Sequence, residues 1–464
     1  MTEVTGGTFW KEYTPEQIAG TEEFPAIKDA SEMAGLMQPY PPVDLYESRI
    51  RTLAKGLGPA HMRVSGSWAT NTYYDFDGHT NGKVPEGYHA VLTKDQWDAV
   101  LDFVKDMGND LLVSAANCPG ARRADGSWNP EQIEMLLDYS KEKGVPVASS
   151  EFMNEPNMLS TGPTRDYSVE DYARDQDQYL SLLKEKYPET LTVGPAACGD
   201  DYTGTGSNLS VLMRICSTDE IMSHTKVMPQ RFSYHCYTGI SERGKIFGTH
   251  WDVKDTLSEK YLAVQSAAAH YYAKIRDQYC PNAPMWVTEC ADAGCGGNTW
   301  ASTYLEVIRL ADQLAGFSTI TDGAMFHNTL ASSDYGFLDH KTHLPRPNYW
   351  LAWIWNQLVG TTVYDTHEEL REGVHLYANS RRDGKKGTCW ILINNSQTES
   401  TEVEIPSDAE VYMLSAETLR SKSILLNGAP LALTSDEQLP ELKGVAHQAD
   451  ILSAAPATVT FIVI

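Results

Sequence analysis

The sequence has a deficit of positive charge and no long hydrophobic run. Its 464 residues contain 37 Lys and Arg against 62 Asp and Glu, which gives a formal net charge of -25. A chain this acidic repels nucleic acids and anionic membrane surfaces. No stretch reaches the roughly 20 apolar residues that a membrane-spanning helix requires. We therefore predict no nucleic-acid partner and no membrane partner, and the sequence makes no prediction of oligomeric state.

The sequence also lacks the cysteine spacing of a zinc site or a disulfide framework. Its eight cysteines are scattered along the chain, whereas such sites use closely spaced pairs or a dense set in a short chain. We interpret them as reduced thiols. The N-terminal stretch "MTEVTGGTFWKEYTPEQIAG" has no basic region followed by an apolar one, the pattern of a secretory signal. We therefore predict a cytoplasmic protein without a metal site, unless a signal was removed.

Short apolar runs alternate with helical patterns between residues 55 and 345. The runs are rich in β-branched and aromatic residues, as strands covered on both faces should be. Seven of them lie at residues 61–66, 110–116, 145–152, 191–197, 231–237, 284–290 and 318–326, and an eighth is expected before residue 61. This alternation favours an α/β fold with a (β/α)₈ TIM barrel over residues 45–345. The alternative, an open doubly wound sheet, is weakened because no Gly-x-Gly-x-x-Gly turn follows an early strand.

The pattern changes after residue 345. Short strand-like pieces follow one another there, and Asn, Gly, Asp and Pro separate them at regular spacing. This predicts a C-terminal all-β sandwich domain over residues 346–464. Residues 1–44 form an N-terminal segment, which we expect to add a strand to the sandwich or to supply the first barrel strand.

Two glutamates occupy the positions where a barrel of this type places its active site, at the carboxyl ends of the strands. Glu155 follows the run 145–152, and Glu289 lies at the end of the run 284–290. A pair of carboxylates suits hydrolysis of a glycosidic bond, because one protonates the leaving oxygen while the other attacks the anomeric carbon or activates water. We expect the two carboxyl groups about 5–5.5 Å apart, which is the separation in retaining enzymes.

Asn154 stands beside the first of these glutamates. Its amide can bond to the sugar 2-hydroxyl, an interaction that strengthens at the transition state. Other polar residues near strand ends have simpler explanations. Glu151 is best explained as a carboxylate of the barrel interior, and His235 is either a site residue or a satisfied core histidine. His327 and Asn328 are expected to form hydrogen bonds at the barrel rim.

Four stretches of the sequence carry a family resemblance. "EFMNEPN", "FSYHCY" and "MWVTECADAGCGG" lie at three of the predicted strand ends, and "LRSKSILLNGAPL" lies in the predicted sandwich. Together they resemble the heparanase and β-glucuronidase group, glycoside hydrolase family 79, over most of the chain from about residue 45 onward. The resemblance implies a (β/α)₈ barrel with a β-sandwich and retaining hydrolysis of β-linked glucuronic acid.

The resemblance also implies roles for individual residues. It makes Glu155 the acid/base and Glu289 the nucleophile, and it implies that the Tyr335 hydroxyl binds the uronate carboxylate. The other substrate-binding residues that it implies are Asn154 beside the acid, the backbone N–H groups around Cys295, Gly296 and Gly297 at the carboxylate, His235 and Tyr237 near the nucleophile, and Asp29 at the sugar hydroxyls. Glycine suits an anion-binding turn, since it lets the main chain approach the anion closely.

One stretch departs from the animal heparanases, which carry polar and basic residues after the fifth strand for sulfated sugars. Here it reads "GPAACGDDY", and Asp200 and Asp201 should repel sulfate. The leading hypothesis is therefore an exo-acting β-glucuronidase that needs no cofactor and acts on oligosaccharides or glucuronides. The alternatives are an endo-acting, heparanase-like enzyme on heparan sulfate, a barrel glycosidase for xylose or arabinose, and a non-catalytic carbohydrate-binding protein.

Overall fold

A curled parallel sheet of seven strands forms the centre of the longer, N-terminal part of the chain. The computed structural model describes residues 1–25, 27–202, 214–368 and 370–464. The strands up to residue 327 are β1 (Gly7–Trp10), β2 (Met37–Tyr40), β3 (His61–Val64), β4 (Thr72–Asp75), β5 (Ala90–Thr93), β6 (Asp110–Ser114), β7 (Ser149–Glu151), β8 (Leu191–Ala197), β9 (Arg231–Tyr237), β10 (Met285–Ala291) and β11 (Ala324–His327). The parallel sheet has the order β11-β10-β9-β8-β7-β6-β3, and β4 pairs with β5 in a separate sheet.

The two edges of the parallel sheet approach one another. The ring of His61 in β3 lies 5.6 Å from that of Phe326 in β11 and 4.8 Å from that of Trp286 in β10. The sheet is therefore a nearly closed barrel. Within the described ranges no eighth strand joins it, because the residues before β3 form a helix, Ser48–Leu57. The buried residues of this helix, Leu53 among them, recur at the three- and four-residue spacing of an amphipathic helix.

Helices connect the strands of the barrel. In chain order the helices are α1 (Thr2–Thr5), α2 (Pro15–Ala19), α3 (Ser48–Leu57), α4 (Lys94–Met107), α5 (Glu131–Glu142), α6 (Val169–Lys186), α7 (Thr218–His224), α8 (Glu259–Tyr279), α9 (Tyr304–Ser318) and α10 (Pro347–Leu358). α4 begins with a capping box, in which Thr93 and Gln96 each bond to the other's backbone N–H. Among the described residues, none of these helices is both long and apolar enough to cross a membrane.

The N-terminal segment lies against the loop that follows β11. β1 pairs antiparallel with β2 in a two-stranded sheet of their own, apart from the two larger sheets. The Glu3 carboxylate accepts hydrogen bonds from the Ala331 N–H at 2.6 Å and the Ser332 hydroxyl at 2.9 Å. The ring of Phe9 lies 6.4 Å from that of Tyr335. The segment therefore helps to hold the loop that carries Tyr335.

The described strands after α10 all pair antiparallel. They are β12 (Val359–Tyr364), β13 (Val374–Arg381), β14 (Thr388–Asn394), β15 (Thr401–Glu404), β16 (Ala409–Ser415), β17 (Ile424–Leu426), β18 (Ala429–Leu431), β19 (Val445–His447), β20 (Ile451–Ala454) and β21 (Thr458–Val463). The larger sheet has the order β12-β13-β14-β21-β16-β17-β18, with β19 beside β16, and β15 pairs with β20 in a second sheet. These antiparallel sheets agree with an all-β C-terminal region.

Helices α9 and α10 pack the barrel against the C-terminal sheets. The Tyr304 hydroxyl in α9 donates to the Leu414 carbonyl in β16 at 2.7 Å. The ring of Trp355 in α10 lies 6.4 Å from that of Phe461 in β21. Trp355 of α10 therefore packs between the two regions.

Candidate active site

Glu155 and Glu289 come from the carboxyl ends of two strands of the barrel. Glu289 lies near the end of β10, and Glu155 lies in the loop after β7. The backbone of Glu155 has a φ of 48°, in the left-handed region that residues other than glycine seldom adopt. Its N–H bonds to the Ala196 carbonyl in β8 at 3.1 Å, which holds the loop against the sheet. Each glutamate side chain is 14% exposed, so both remain within reach of a ligand from solvent.

The two carboxylates face each other across His235. One carboxylate oxygen from each glutamate and one ring nitrogen of His235 all lie within 4.8 Å of one another. His235 Nδ1 is 3.0 Å from Glu155 Oε1 and 3.9 Å from Glu289 Oε2. His235 is therefore a site residue and not only a core histidine.

Glu289 is held by donors on both of its oxygens. Oε1 accepts hydrogen bonds from the Tyr237 hydroxyl and from Asn328 Nδ2, the latter at 3.2 Å, and Oε2 accepts one from Arg63 Nη1 at 3.0 Å. Burial alone would raise the pKa of Glu289, but His235, Arg63 and the Tyr237 hydrogen bond together lower it. Glu289 is therefore held in its ionised form.

Arg63 in β3 connects the acidic groups of the site. Its guanidinium bonds to Glu151 at 2.6 Å, to Glu289 at 3.0 Å and to the Asn154 side-chain oxygen at 2.9 Å. Its Nη2 also lies 3.3 Å from His235 Nε2. A planar guanidinium with five donors can satisfy several acceptors at once, which an ammonium group cannot do with the same geometry. Arg63 therefore sets the relative positions of these four side chains.

Glu151 and Asn154 occupy different depths beside Arg63. Glu151 is fully buried and also accepts a hydrogen bond from the Ser65 hydroxyl at 2.7 Å, so it is an interior carboxylate as expected. Asn154 directs its amide nitrogen toward the Ser67 hydroxyl at 3.3 Å. Because Arg63 occupies the amide oxygen, the Asn154 nitrogen is the atom left to donate to a ligand.

Tyr335 is joined to Glu289 through Asn328. Asn328 Nδ2 lies 3.0 Å from the Tyr335 hydroxyl and 3.2 Å from Glu289 Oε1. The Tyr335 ring is stacked on that of Tyr237, with centroids 6.5 Å apart. Burial, followed by the charge of Glu289, raises the pKa of both tyrosines well above the usual value. Both hydroxyls therefore stay protonated and can act as donors.

The predicted anion-binding turn lies beside Tyr335. Cys295, Gly296 and Gly297 all have positive φ angles, of 62°, 85° and 86°. A Cβ added to Gly297 would come within 3.1 Å of the Tyr335 Cβ, so glycine is needed for this close approach. The N–H of Gly297 is not available to a ligand, because it donates to the Ala293 carbonyl at 3.2 Å. The turn can therefore offer the N–H groups of Cys295 and Gly296.

Two acidic residues that the sequence linked to substrate lie apart from this cluster. Asp29 is exposed and caps a short 3₁₀ helix by accepting from the Ser31 N–H, and none of its described contacts is with a site residue. The Asp200 carboxylate accepts hydrogen bonds from the Thr218 N–H and from the Tyr272 hydroxyl, each at 3.0 Å. The proposed contact of Asp29 with the sugar remains a prediction that no contact supports.

Sequence reasoning gave too little weight to two residues. Arg63 lies within the run 61–66, and a charged residue within an apolar run is itself a sign of buried acidic partners. Asn328 was expected only at the barrel rim, whereas it contacts both Glu289 and Tyr335. Its position after a strand end was the one signal in the sequence.

Among the described residues, two groups of three side chains lie close enough to share a metal ion. One is Glu155, His235 and Glu289, but the Arg63 guanidinium already pairs with Glu289. The other consists of the buried Asp75 at the end of β4 and the exposed Asp77 and His79, which already bond to each other. All eight cysteines are unpaired. Neither group gives a reason to invoke a metal in the chemistry of the site.

Comparison with known proteins shows which proteins the chain is similar to. No protein-family model matches the chain. Baicalin-β-D-glucuronidase of Scutellaria baicalensis is 23% identical over 470 residues, which cover 90% of this chain and 83% of that protein. Hyaluronoglucuronidase of Hirudo nipponia is 25% identical, with 91% and 90% of the two chains covered. Over most of its length the chain is therefore similar to members of the heparanase and β-glucuronidase group of glycoside hydrolases.

One relative limits what similarity to the heparanase and β-glucuronidase group implies. The inactive heparanase-2 of Homo sapiens is 24% identical, with 81% of this chain and 67% of that protein covered. Similarity alone therefore does not establish catalysis, and the arrangement of Glu155 and Glu289 has to carry that argument. The resemblance that the sequence motifs indicated is confirmed.

Solved structures of glycosidases share the fold of this chain. A 4-O-α-L-rhamnosyl-β-D-glucuronidase of Fusarium oxysporum matches with a TM-score of 0.62 and 13% identity, over 90% of this chain and 91% of that one. An arabinofuranosidase of Xanthomonas axonopodis pv. citri matches with a TM-score of 0.60 and 15% identity, over 89% of each chain. At these identities the likeness extends to the fold alone.

Proposed function

We propose that this protein is a retaining β-glucuronidase that removes terminal glucuronate from oligosaccharides or glucuronides. The observation that carries the proposal is the facing pair of Glu155 and Glu289, whose oxygens approach within 4.8 Å. Retaining glycosidases hold their carboxyl groups about 5–5.5 Å apart, whereas inverting enzymes leave about 6.5–9.5 Å for a water molecule. The short separation supports the retaining route.

In the first step, the Glu289 carboxylate attacks the anomeric carbon while Glu155 donates a proton to the leaving oxygen. Glu289 suits the nucleophile because Arg63 and Tyr237 hold it ionised and oriented. Asn154 lies beside the acid with its amide nitrogen available to the sugar 2-hydroxyl. That hydrogen bond would strengthen as the sugar ring gains positive charge.

In the second step, Glu155 acts as a base toward water. Once Glu289 has become a neutral ester, a carboxylate at Glu155 takes a proton from the water that attacks the anomeric carbon. His235 Nδ1, 3.0 Å from Glu155, orients that carboxylate during both steps. The sugar then leaves with the configuration that it had in the substrate.

The uronate carboxylate would bind beside Tyr335. The Tyr335 hydroxyl, which bonds to Asn328, and the N–H groups of Cys295 and Gly296 are neutral donors. Hydrogen bonds from neutral donors to a carboxylate are charge-assisted and therefore stronger than neutral pairs. This arrangement supports glucuronate over a sugar that lacks a carboxylate.

The domain boundaries, the cellular location and the class of partner form part of the same proposal. The nearly closed parallel sheet supports a (β/α)₈ barrel over residues 45–345, followed by a sandwich over residues 346–464, with residues 1–44 as a separate N-terminal segment. Eight unpaired cysteines support a cytoplasmic location. The acidic balance supports a saccharide partner over nucleic acid or a membrane.

The proposal is tested by the anomer that the enzyme releases first. An aryl β-D-glucuronide is mixed with the protein, and proton NMR follows the anomeric signals before mutarotation. We expect the β-anomer of free glucuronate to appear first. Initial release of the α-anomer would contradict the covalent route. Turnover of aryl β-xylosides or arabinosides with none of glucuronides would contradict the substrate.

Exo action is tested separately with heparan chains. We expect free glucuronate to be released with little change in chain length. Rapid shortening of the polymer without free glucuronate would instead establish an endo-acting, heparanase-like enzyme.

A further inference from the structure

Two backbone N–H groups in the turn after β10 have no hydrogen-bond acceptor. They belong to Cys295 and Gly296, and nothing in the described ranges accepts a bond from either. Gly296 is buried, and a buried N–H without a partner is rare because it costs roughly 1–3 kcal/mol. The turn is therefore incomplete without a ligand that accepts hydrogen bonds.

The carbonyls of the same two peptide units are held from the opposite side by one short segment. The first unit joins Gly294 to Cys295, and its carbonyl accepts from the Ser241 N–H at 3.1 Å. The second unit joins Cys295 to Gly296, and its carbonyl accepts from the Ser241 hydroxyl at 2.9 Å and from Arg243 Nη1 at 3.3 Å. Both unpaired N–H groups therefore belong to peptide units whose carbonyls Ser241 or Arg243 anchor.

Anchoring a carbonyl also fixes and strengthens the N–H of the same unit. In a trans peptide the N–H points away from the carbonyl, so bonds at the carbonyls direct these N–H groups away from Ser241. A donor at the carbonyl also polarises the unit, which makes its N–H a better donor. The effect is largest where the donor is a guanidinium.

The geometry points to Ser241 and Arg243 as positioning residues that make the site selective for a sugar carboxylate. They touch no part of the sugar and act through the N–H groups of Cys295 and Gly296. The inference rests on the proposed function, because it concerns the same uronate site. It assigns the preference for an anionic sugar to a segment outside the motifs that carry the two glutamates.

Arg243 is placed to act through the turn and not on a ligand. It is 1% exposed, it forms an ion pair with the buried Asp334, and its guanidinium carbon lies 3.6 Å from the centre of the Tyr13 ring. Its charge is thus neutralised by Asp334. Arg243 therefore acts on the turn through the direction in which its guanidinium N–H groups point.

The same turn contains a matched control. The Gly296 carbonyl accepts from the Ser333 hydroxyl at 3.0 Å, which resembles the bond that Ser241 makes. The N–H of that peptide unit belongs to Gly297 and is already satisfied by the Ala293 carbonyl. Ser333 therefore holds the turn without presenting an N–H to a ligand.

The test compares Ser241→Ala with Ser333→Ala. Ser241 is preferred to Arg243, because replacing Arg243 would leave Asp334 buried without its partner. For each protein, kcat and KM are measured on an aryl β-D-glucuronide and on the matching aryl β-D-glucoside, which lacks the carboxylate. We expect Ser241→Ala to lower the ratio of the two kcat/KM values about 5- to 20-fold, mainly through KM for the glucuronide. Ser333→Ala should change the ratio less than about threefold.

A second measurement can be made even where glucoside turnover is too slow to record. The backbone amide signals of Cys295 and Gly296 are followed by NMR during titration with glucuronate. In the wild type both signals should move to lower field, and in Ser241→Ala the shift of Gly296 should shrink. Thermal unfolding confirms that both variants are folded.

The outcomes separate this inference from the proposed function. A wild type that does not prefer the glucuronide refutes the proposed function, whatever the variants do. A wild type that prefers it, with Ser241→Ala lowering turnover of both substrates equally or matching Ser333→Ala, overturns the positioning role alone. Unchanged amide shifts in Ser241→Ala would overturn it as well.

Discussion

The two sides of the candidate site use opposite physical means. The charged side consists of Arg63, Glu151, Glu155 and Glu289. Arg63 forms ion pairs with Glu151 and Glu289, and Glu155 lies against His235. The neutral side consists of the Tyr335 hydroxyl and the turn at residues 295–297, which offer only uncharged donors. The charged side fits bond making and proton transfer, and the neutral side fits recognition.

The use of charged groups on one side and neutral donors on the other follows from the task of each side. A nucleophile has to be ionised and aimed before the sugar arrives, so a fixed cation such as Arg63 is useful beside Glu289. A uronate brings its own charge into the site. Neutral donors can bind it without leaving an unpaired buried charge when the site is empty.

Removing the nucleophile should break the charged side most severely. Glu289→Gln keeps the size of the side chain but cannot form the glycosyl ester, so kcat on an aryl glucuronide should fall about 10⁴-fold or more. Glucuronate binding should survive, because the neutral side is intact. Steady-state kinetics and a binding titration measure the two effects, and a variant with a tenth of the wild-type kcat would exclude Glu289 as nucleophile.

Azide distinguishes the two glutamates from each other. In Glu155→Ala, azide should attack the covalent intermediate and give the β-glucuronosyl azide. In Glu289→Ala, azide should take the place of the missing nucleophile and give the α-glucuronosyl azide. The same anomer from both variants would show that the roles are wrongly assigned.

Replacing Arg63 should loosen the charged side without removing its charge. Arg63→Lys cannot hold Glu151, Glu289 and Asn154 at once, so kcat/KM should fall about 10²-fold through misplacement of the reacting groups. Arg63 also lowers the pKa of Glu289. Weakening the contact between residue 63 and Glu289 should raise the pKa of Glu289, which moves the acid limb of the kcat/KM profile to higher pH. Rates measured from pH 4 to 8 would record this shift. An acid limb that stays in place would mean that another group governs it.

Removing one hydroxyl should test the neutral side by itself. Tyr335→Phe keeps the ring stacked on Tyr237 but removes a donor to the carboxylate. We expect kcat/KM for an aryl glucuronide to fall about 10- to 100-fold, with little change for the matching glucoside. Kinetics on the two substrates make the measurement. An equal loss on both would show that Tyr335 acts through Asn328 and Glu289 and not on the carboxylate.

The charged side is also the part of the site that the sequence predicted best. Glu155 and Glu289 lie at the carboxyl ends of two strands. In a parallel barrel the carboxyl ends of all strands lie on the same face, so residues there are close together. The seven barrel strands were found because each apolar run had the length and composition of a buried strand. The expected eighth strand is absent from the described part of the sheet, since the residues before β3 have the apolar spacing of a helix and form one.

The neutral side could be predicted only through the family resemblance. Its donors are backbone N–H groups, and every residue has one, so no residue type marks them. Whether an N–H is available depends on long-range partners, as the contrast between Gly296 and Gly297 shows. The support from Ser241 is likewise invisible in the sequence, because it comes from a different loop more than 50 positions away. Asp29 is an acidic residue that caps its own local turn, and its contact with the sugar stays a prediction.

A charged cluster outside the site sharpens the comparison, since it should govern stability and not chemistry. His375 in β13 lies between Asp312 in α9, which its Nδ1 contacts, and Glu259 in α8, 2.8 Å from its Nε2. Burial would lower the pKa of His375, but Asp312 and then Glu259 raise it to about 9. The Tyr377 hydroxyl also bonds to Asp312 at 2.8 Å. The cluster thus joins the C-terminal sheet to two barrel helices.

The sign of its pH dependence follows from the raised pKa. Below about pH 6.5 the histidine is protonated in both folded and unfolded chains, and the contribution of the cluster is present in full. Between about pH 6.5 and 9 the unfolded chain loses that proton first, so stability should fall with rising pH by at most about 3 kcal/mol. His375→Gln should remove this slope and lower the stability at pH 6, as urea unfolding at pH 6 and pH 9 would measure.

Tyr377→Phe is the matched control, because it loses a bond to the same carboxylate but keeps the titrating group, so its slope should persist. Since the cluster contacts neither glutamate of the site, both variants should keep the wild-type kcat at pH 6, and a large loss of kcat in His375→Gln alone would show that charge outside the site also controls the chemistry.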